Sequence, residues 1–131
     1  MVKFRYTICY VPNVEAALSF FEKAFDMKRK FITEEKDYGE LSTGEVTLSF
    51  ASHELGNANF DGGHISASDS AKPLGVELAL VTDDVQSVHD SAISLGAQEL
   101  KSPEPKPWGQ VVSYVRCPSG LLIELCTPVG G

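Results

Sequence analysis

Two stretches of this chain repeat one pattern. Residues 5–14, RYTICYVPNV, lie over residues 76–85, VELALVTDDV, strand on strand and cap on cap, and the helices that follow stay in register as far as Phe25 and Gly96. The likeness is one of pattern rather than of identity, and it points to an architecture of two similar modules. In the first copy, residues 4–11 alternate, with Phe4, Tyr6, Ile8 and Tyr10 on one face of a strand. Pro12 ends the strand. Asn13 can then cap a helix over 14–25, whose apolar positions Val14, Ala17, Leu18, Phe21 and Phe25 follow three-and-four spacing. In the second copy a strand over 76–82 leads to Asp83 or Asp84 as the cap of a helix over 85–95. Gly96 stands where a helix end takes a left-handed residue.

Short strands over 28–33, 38–42 and 46–51, separated by Glu/Lys/Asp and Thr-Gly turns, give the first half the order βαβββ. The second half closes on PWGQVVSYVRCPSGLLIELCTP, residues 107–128, which holds a complete hairpin. Its turn is Cys117-Pro118-Ser119-Gly120, where Pro presets a negative φ and Gly accepts a positive one. In the return strand Leu122, Glu124 and Cys126 share one face, and Ile123 and Leu125 the other. Glu124 is therefore a carboxylate among apolar neighbours, costly to bury unless a cation, a metal or hydrogen-bond donors meet it. Glu77 stands in the same way in VELALV, on one face with Ala79 and Val81.

Residues 52–74 turn to Gly, Asn, Ser, Asp and Ala with little periodicity, which reads as a long loop, either linker or lid. His64 follows Gly62-Gly63 in it and is read as an exposed loop residue, with ligand contact as the alternative. His89 falls outside the stripe of Val85, Val88, Ala92 and Leu95 and is read as a solvated helix histidine rather than a catalytic one. A Pro-rich connection, SPEPKPWG, lengthens the second half.

At 131 residues the chain can bury one real core, and a net charge of −7 without clustered Lys or Arg argues against nucleic acid and anionic membrane surfaces. Cys9, Cys117 and Cys126 have no CxxC-type spacing, so neither a disulfide framework nor a zinc knuckle is suggested. No apolar run approaches membrane-spanning length, and a cytoplasmic protein with reduced thiols is expected.

The opening YTICYVPNVEAALSFFEKAFDM, the segment GVELALVTDDVQSVHDSAISLGA and the closing hairpin together resemble the vicinal oxygen chelate superfamily, which contains glyoxalase I, bleomycin-resistance proteins, fosfomycin-resistance thiol transferases and extradiol dioxygenases. The resemblance covers nearly the whole chain. CPSG stands where the family commonly has a DPDG-like turn, keeping the Pro and Gly that shape it. It implies an α+β fold of two paired βαβββ modules, whose curved sheets enclose a pocket. The chain would be a single domain over 1–131, with module one at 1–56, a linker or lid over 52–75 and module two at 74–131. It also implies a homodimer, with modules sometimes exchanged between chains.

In metal-dependent members of the superfamily four inward side chains, typically His, Gln or Glu, hold the ion. The resemblance places those positions here at Tyr6, Leu48, Glu77 and Glu124. Only the two glutamates bind divalent cations in the usual way, so no cofactor is favoured. A divalent metal on Glu77 and Glu124 is the alternative, with water, Cys126 or Tyr6 completing the shell. Three readings of the two acids stay open: a metal, a cationic or hydrogen-bond-donating ligand, or structural satisfaction by neighbours such as Arg5, Lys106 or Arg116. Closely spaced acids would repel, raise one pKa and hold a proton.

Trp108, in PKPWGQ, either stacks on a flat ligand at the pocket mouth while Gln110 reads a polar edge, or plugs a strand end. Neither a Ser-His-Asp pattern, a nucleophile elbow nor a phosphate loop is visible. The expected function is metal-independent binding of an aromatic or cationic small molecule, resembling the antibiotic-sequestering branch. Its ligand-binding residues would be Tyr6, Leu48, Glu77, Trp108, Gln110, Tyr114 and Glu124. The alternative is a metal-dependent lyase, isomerase or thiol transferase resembling glyoxalase I, with Glu77 and Glu124 as catalytic candidates.

Overall fold

The computed structural model describes residues 1–129. The chain forms two compact units, Met1–Asp69 and the part from Ser70 onward, so the boundary falls within the segment read as linker or lid. The first unit runs β1 (Tyr6–Val11), α1 (Val14–Phe25), β2 (Lys28–Ile32), β3 (Tyr38–Ser42), β4 (Thr47–Ser52) and α2 (His53–Asn57). Its sheet has the order β1-β4-β3-β2, with β1 parallel to β4 and the other pairs antiparallel. The Asn13 side chain accepts the Ala16 N–H at 2.9 Å, supplying the cap that starts α1. The apolar stripe of α1 is buried, and Phe21 meets Phe50 of β4 with ring centroids 5.0 Å apart. Burying each such side chain contributes about 1.5–3 kcal/mol.

Gly39 of β3 lies under α1, and a Cβ there would stand 2.6 Å from Leu18 Cδ1 and 3.2 Å from the Phe31 carbonyl oxygen. Leu18 is fully buried and has nowhere to retreat. Gly39→Ala is therefore expected to cost about 1–2 kcal/mol by overpacking, read as a lower midpoint in a denaturant titration. An unchanged midpoint would show that the helix rides on the sheet more loosely than these distances imply.

The second unit runs β5 (Glu77–Val81), α3 (Val85–Ser94), β6 (Gln98–Pro105), β7 (Val111–Arg116) and β8 (Leu122–Cys126), in the matching order β5-β8-β7-β6. Asp84 is the cap of α3, accepting the Ser87 N–H at 3.0 Å, and Gly96 beyond it has φ 108°. The turn of the β7–β8 hairpin closes by the Gly120 N–H donating to the Cys117 carbonyl at 2.8 Å, with Gly120 at φ 90°. The two βαβββ modules thus match the two-module organisation expected from the repeat and the α+β fold that the resemblance implies.

Three local readings change. The Pro-rich connection is largely strand: β6 extends through Pro105 as an edge strand paired only with β7, with register shifts on either side of Lys101. An edge tolerates Pro because one side of the strand needs no ladder donors. Residues 52–74 contain helix α2, capped by Ser52 accepting the Leu55 N–H, and a 3-10 turn at Ala67–Asp69. Five helical residues are too few to leave a periodic signal in sequence.

His89, finally, is 1% exposed, not solvated. It lies four residues after Val85 and three before Ala92, both buried, and so shares their side of α3. Among the described residues no helix is long and apolar enough to cross a membrane.

Candidate functional site

In each unit one face of the sheet carries the long helix, α1 or α3; the opposite face, called the open face, is free of that helix, although α2 lies against Tyr10 on it in the first unit. On β4, Phe50 packs on α1, so its alternate neighbours Ser49 and Ala51 belong to the open face. On β8, Ile123 and Leu125 are fully buried, while Leu122, Glu124 and Cys126 take the other face, as alternation predicts.

The open face of the second unit brings three of the expected residues together. Tyr114 of β7 sits directly across from Glu124 of β8, and its hydroxyl donates to Glu124 Oε1 at 3.0 Å. Glu77, at the start of the neighbouring β5, shares this face two positions before Ala79, the residue paired with Glu124. Partial desolvation, and then hydrogen bonding and like charge from Glu124, raise Glu77 above the ordinary carboxylate range. The hydrogen bond to Glu124, reinforced by burial and both acidic charges, pushes the Tyr114 phenol up to about 12. Cys126 on the same face is also raised, first by burial and then by Glu124, which makes it a poor thiolate donor.

Two of the cationic neighbours considered for these acids, Lys106 and Arg116, make other contacts. Lys106 pairs with Glu104 at 2.9 Å, and Arg116 donates to the carbonyls of Gly120 and Ser70. Trp108 stands on the turn before β7, 66% exposed, with its indole N–H donating to Gln110 Oε1 at 2.7 Å. The Gln110 amide in turn donates to the Thr127 carbonyl at 2.7 Å. Trp108 is thus presented to solvent rather than plugged into a strand end, and Gln110 fixes its edge.

Because the raised pKa of Glu77 lies above its unfolded value, its contribution to stability is full below the ordinary carboxylate range. That contribution is lost as pH rises through the raised value. Glu77→Gln should therefore raise the unfolding midpoint at pH 7 and leave it unchanged at pH 3. The gain is only a few tenths of a kcal/mol, roughly, because Glu77 is exposed and its repulsion is screened. Denaturant titrations at the two pH values check the sign, and a loss at pH 7 would mean that the ionised pair is held by something attractive.

In the first unit Tyr6 of β1 belongs to the open face, but Leu48 does not. Leu48 is 6% exposed and shares the helix-facing side of β4 with Phe50, and the residue across from Ile8 on the open face is Ser49. The strand alignment that selects Leu48 is displaced by one position, which reverses the face.

Register also identifies what sequence reasoning missed. Ala79 pairs with Glu124 as Ile8 pairs with Ser49, and Tyr114 faces Glu124 as Glu40 faces Ser49. The acid and the hydroxyl have exchanged places between the units. Glu40 is 9% exposed, accepts the Tyr38 hydroxyl at 2.7 Å and lies 3.8 Å from Lys30 Nζ. Tyr38 Oη is also 3.0 Å from Ser49 Oγ. Burial raises the Tyr38 phenol, with Ser49 opposing and Glu40 adding to the shift. Glu40, an acid in the strand YGELS, meets the criterion that singles out Glu124.

The second missed feature lies in the segment read as a loop. His53 of α2 places Nδ1 2.8 Å from His64 Nε2, and Ser66 Oγ stands 3.0 Å from His53 Nε2. The His64 ring lies against Tyr10 of β1 at 4.6 Å, and Asn59 donates to the Tyr10 hydroxyl at 3.1 Å. Burial, then the neighbouring His64, hold His53 below the usual imidazole range, with Asp69 opposing. His64 is therefore half-buried and paired rather than an exposed loop residue.

With the register corrected from Leu48 to Ser49, the four positions that the resemblance gives to a metal are filled by a phenol, a hydroxyl and two carboxylates. Among the described residues no three of His, Cys, Asp and Glu gather to share an ion. That donor set does not fit the nitrogen- and carboxylate-bearing site of the metal-dependent members.

Comparison with known proteins agrees with this architecture. A glyoxalase-related enzyme from Fulvimarina pelagi superposes with a TM-score of 0.82 at 16% identity, over 98% of this chain and 89% of that one. A hypothetical protein from S. aureus gives 0.81 at 13% identity, over 98% and 95% of the two chains. A glyoxalase/bleomycin resistance protein/dioxygenase family enzyme from Burkholderia phytofirmans PsJN gives 0.74 at 17%, over 96% and 98%. No curated protein matches the sequence. The family model covers residues 3–125, and with two βαβββ modules of identical strand order the chain belongs to the Glyoxalase/Bleomycin resistance protein/Dioxygenase superfamily.

Proposed function

We propose that this protein binds a small molecule that is cationic or donates hydrogen bonds and carries an aromatic surface, without requiring a cofactor. The observation that carries the reading is the Glu77–Glu124 pair: two carboxylates on one face of neighbouring strands, with Glu124 near enough to raise the proton affinity of Glu77 and the Tyr114 hydroxyl donating to Glu124. Ionised, such a pair attracts a ligand cation; half-protonated, it offers both a donor and an acceptor. Trp108, exposed and oriented by Gln110, suits stacking on a flat ring. The exposed apolar side chains of the edge strands, Tyr6 and Ile8 on β1 and Val81 on β5, support a homodimer as the working form.

Calorimetric titration of the protein with a panel of basic aromatic compounds, including aromatic glycopeptides, tests this. For a compound that binds, affinity should fall about tenfold or more in Glu124→Gln. In the native protein it should weaken as pH drops through the raised carboxylate range of Glu77, because protonation removes the charge that attracts the cation. Equal affinity in Glu77→Gln, Glu124→Gln and the native protein would remove both carboxylates from binding.

A further inference from the structure

We propose that Ser66, His53 and His64 form a hydrolytic triad on the first unit that cleaves an uncharged ester, with Ser66 the nucleophile, His53 the general base and His64 the residue that positions it. Ser66 Oγ lies 3.0 Å from His53 Nε2, and His53 Nδ1 lies 2.8 Å from His64 Nε2. A hydroxyl within reach of a base whose far nitrogen is held by a third group is the arrangement that activates a serine. Ser66 is only half-buried, so a carbonyl can be brought to it. Ser68 Oγ, 2.8 Å from Ser66 Oγ, places a second hydroxyl beside the reacting one.

Three pieces of chain hold the row in place. His53 opens α2, which rests on β1 so closely that a Cβ on Gly56 would stand 2.8 Å from Tyr10 Cδ1. His64 follows Gly62 and Gly63, at φ 93° and 62°, on a backbone that side-chain-bearing residues rarely adopt. Its ring is backed by Tyr10 at 4.6 Å. Ser66 stands just before the 3-10 turn at Ala67–Asp69, its carbonyl accepting the Asp69 N–H at 3.2 Å. Placement of this kind, by packed neighbours and fixed turns, is what keeps a reacting row in register.

The base is suited to neutral pH. Burial, then His64, hold His53 below the usual imidazole range, with Asp69 opposing, so it stands unprotonated and able to accept. The other titratable groups on the elements around α2 are Tyr6, Cys9 and Tyr10 of β1 and Glu54 of α2 itself, and β4 has none.

In the reaction the Ser66 oxygen bonds to the ester carbonyl carbon while its proton passes to His53 Nε2. His53 Nδ1–H donates to His64 Nε2 throughout. The bond to the alcohol oxygen then breaks, the alcohol leaves with the proton from His53, and the acyl group stays on Ser66. Water, giving a proton to His53, attacks that ester, the acid is released and the Ser66 hydroxyl is restored. Phe60 and Ile65, exposed on the same segment, suit an acyl or aryl group without charge. The activity uses neither Glu77 nor Glu124 and is independent of the ligand proposed above.

Donation along the row assigns the hydrogens to Nδ1 of both histidines. The opposite assignment, with His53 Nε2 donating to Ser66, would block the base. Nδ1 of His64 has no hydrogen-bond partner among the described residues under either, so it does not choose between them. Nitrogen-15 spectra do, and the native protein at pH 7 should show His53 Nε2 unprotonated.

The test incubates the full-length protein with p-nitrophenyl acetate and, separately, with a fluorophosphonate, and maps the labelled peptide by mass spectrometry. Covalent label on Ser66 and release of p-nitrophenol above the buffer rate are expected, with the label lost in Ser66→Ala. The rate should fall about a hundredfold or more in His53→Ala and about tenfold in His64→Ala. His64→Gln keeps an acceptor and should recover much of that tenfold, while the pH midpoint of the rate moves upward because His64 no longer opposes the charge on His53. Label on a different residue, an unlabelled protein, a rate indifferent to Ser66→Ala, or a hydrogen on His53 Nε2 in the native protein would each overturn the proposal.

Discussion

Replacing His89 by Ala is expected to destabilise the protein by about 3 kcal/mol, lowering the thermal midpoint by roughly 10 °C. The imidazole is 1% exposed on α3. Its Nδ1 lies 2.9 Å from Ser113 Oγ of β7 and its Nε2 2.7 Å from Glu99 Oε2 of β6. Truncation removes buried volume and also strands the Ser113 hydroxyl, itself fully buried, without its partner. Glu99→Ala removes a half-exposed carboxylate and lets water approach the His89 Nε2 that it leaves, so it should cost less, about 1 kcal/mol. The order Ser, His, Glu imitates a hydrolytic triad, but a serine that no solvent reaches cannot receive a substrate, and the trio ties the helix to the sheet. Equilibrium unfolding of the two variants gives the ranking, and a His89→Ala protein as stable as the native one would remove this tie from the account.

Glu124→Gln is expected to bring the Tyr114 phenol down from about 12 by roughly one to two units toward its ordinary value. The sign follows from the bond. The neutral phenol donates to the carboxylate, so losing the proton forfeits a hydrogen bond and places a second anion beside the first. A raised phenol stabilises the fold fully below its unfolded value near 10, and that contribution is lost as pH rises through about 12. Near-ultraviolet phenolate absorbance measures the shift, with Tyr114→Phe assigning the residue among four tyrosines. An unshifted titration in Glu124→Gln would mean that Glu124 does not hold the hydroxyl.

What sequence made legible was local. Asn13 as one cap and Asp83 or Asp84 as the other, Pro118 and Gly120 as turn formers, and the two-faced return strand around Glu124 each depend on a few consecutive residues, and the structure puts each within what the pattern allowed, with Asp84 the second cap. What escaped was set by distance or by identity. Leu48 was selected in place of Ser49 because the two halves carry loops of different length, and one position of displacement turns a side chain to the other face. His89 keeps helical phase with Val85 and Ala92, but a polar letter in an apolar stripe looks like an interruption rather than a member. His53 and His64 are brought together only by α2 and the glycine turn, and nothing in either one's immediate neighbours announces the other.

The trade of seats between Glu40–Ser49 and Tyr114–Glu124 bears on how the two copies could have drifted apart. In each unit the acid faces a hydroxyl-bearing residue across one antiparallel pair, so the register sets that neighbourhood whichever strand carries the acid. A duplicated half could thus relocate its acid by two point changes, provided that the fully buried position of Ser49 gives the new carboxylate a donor as Tyr114 does for Glu124. Swapping the occupants of the N-terminal copy, Glu40→Tyr with Ser49→Glu, should then recreate on it the chemistry of its sibling.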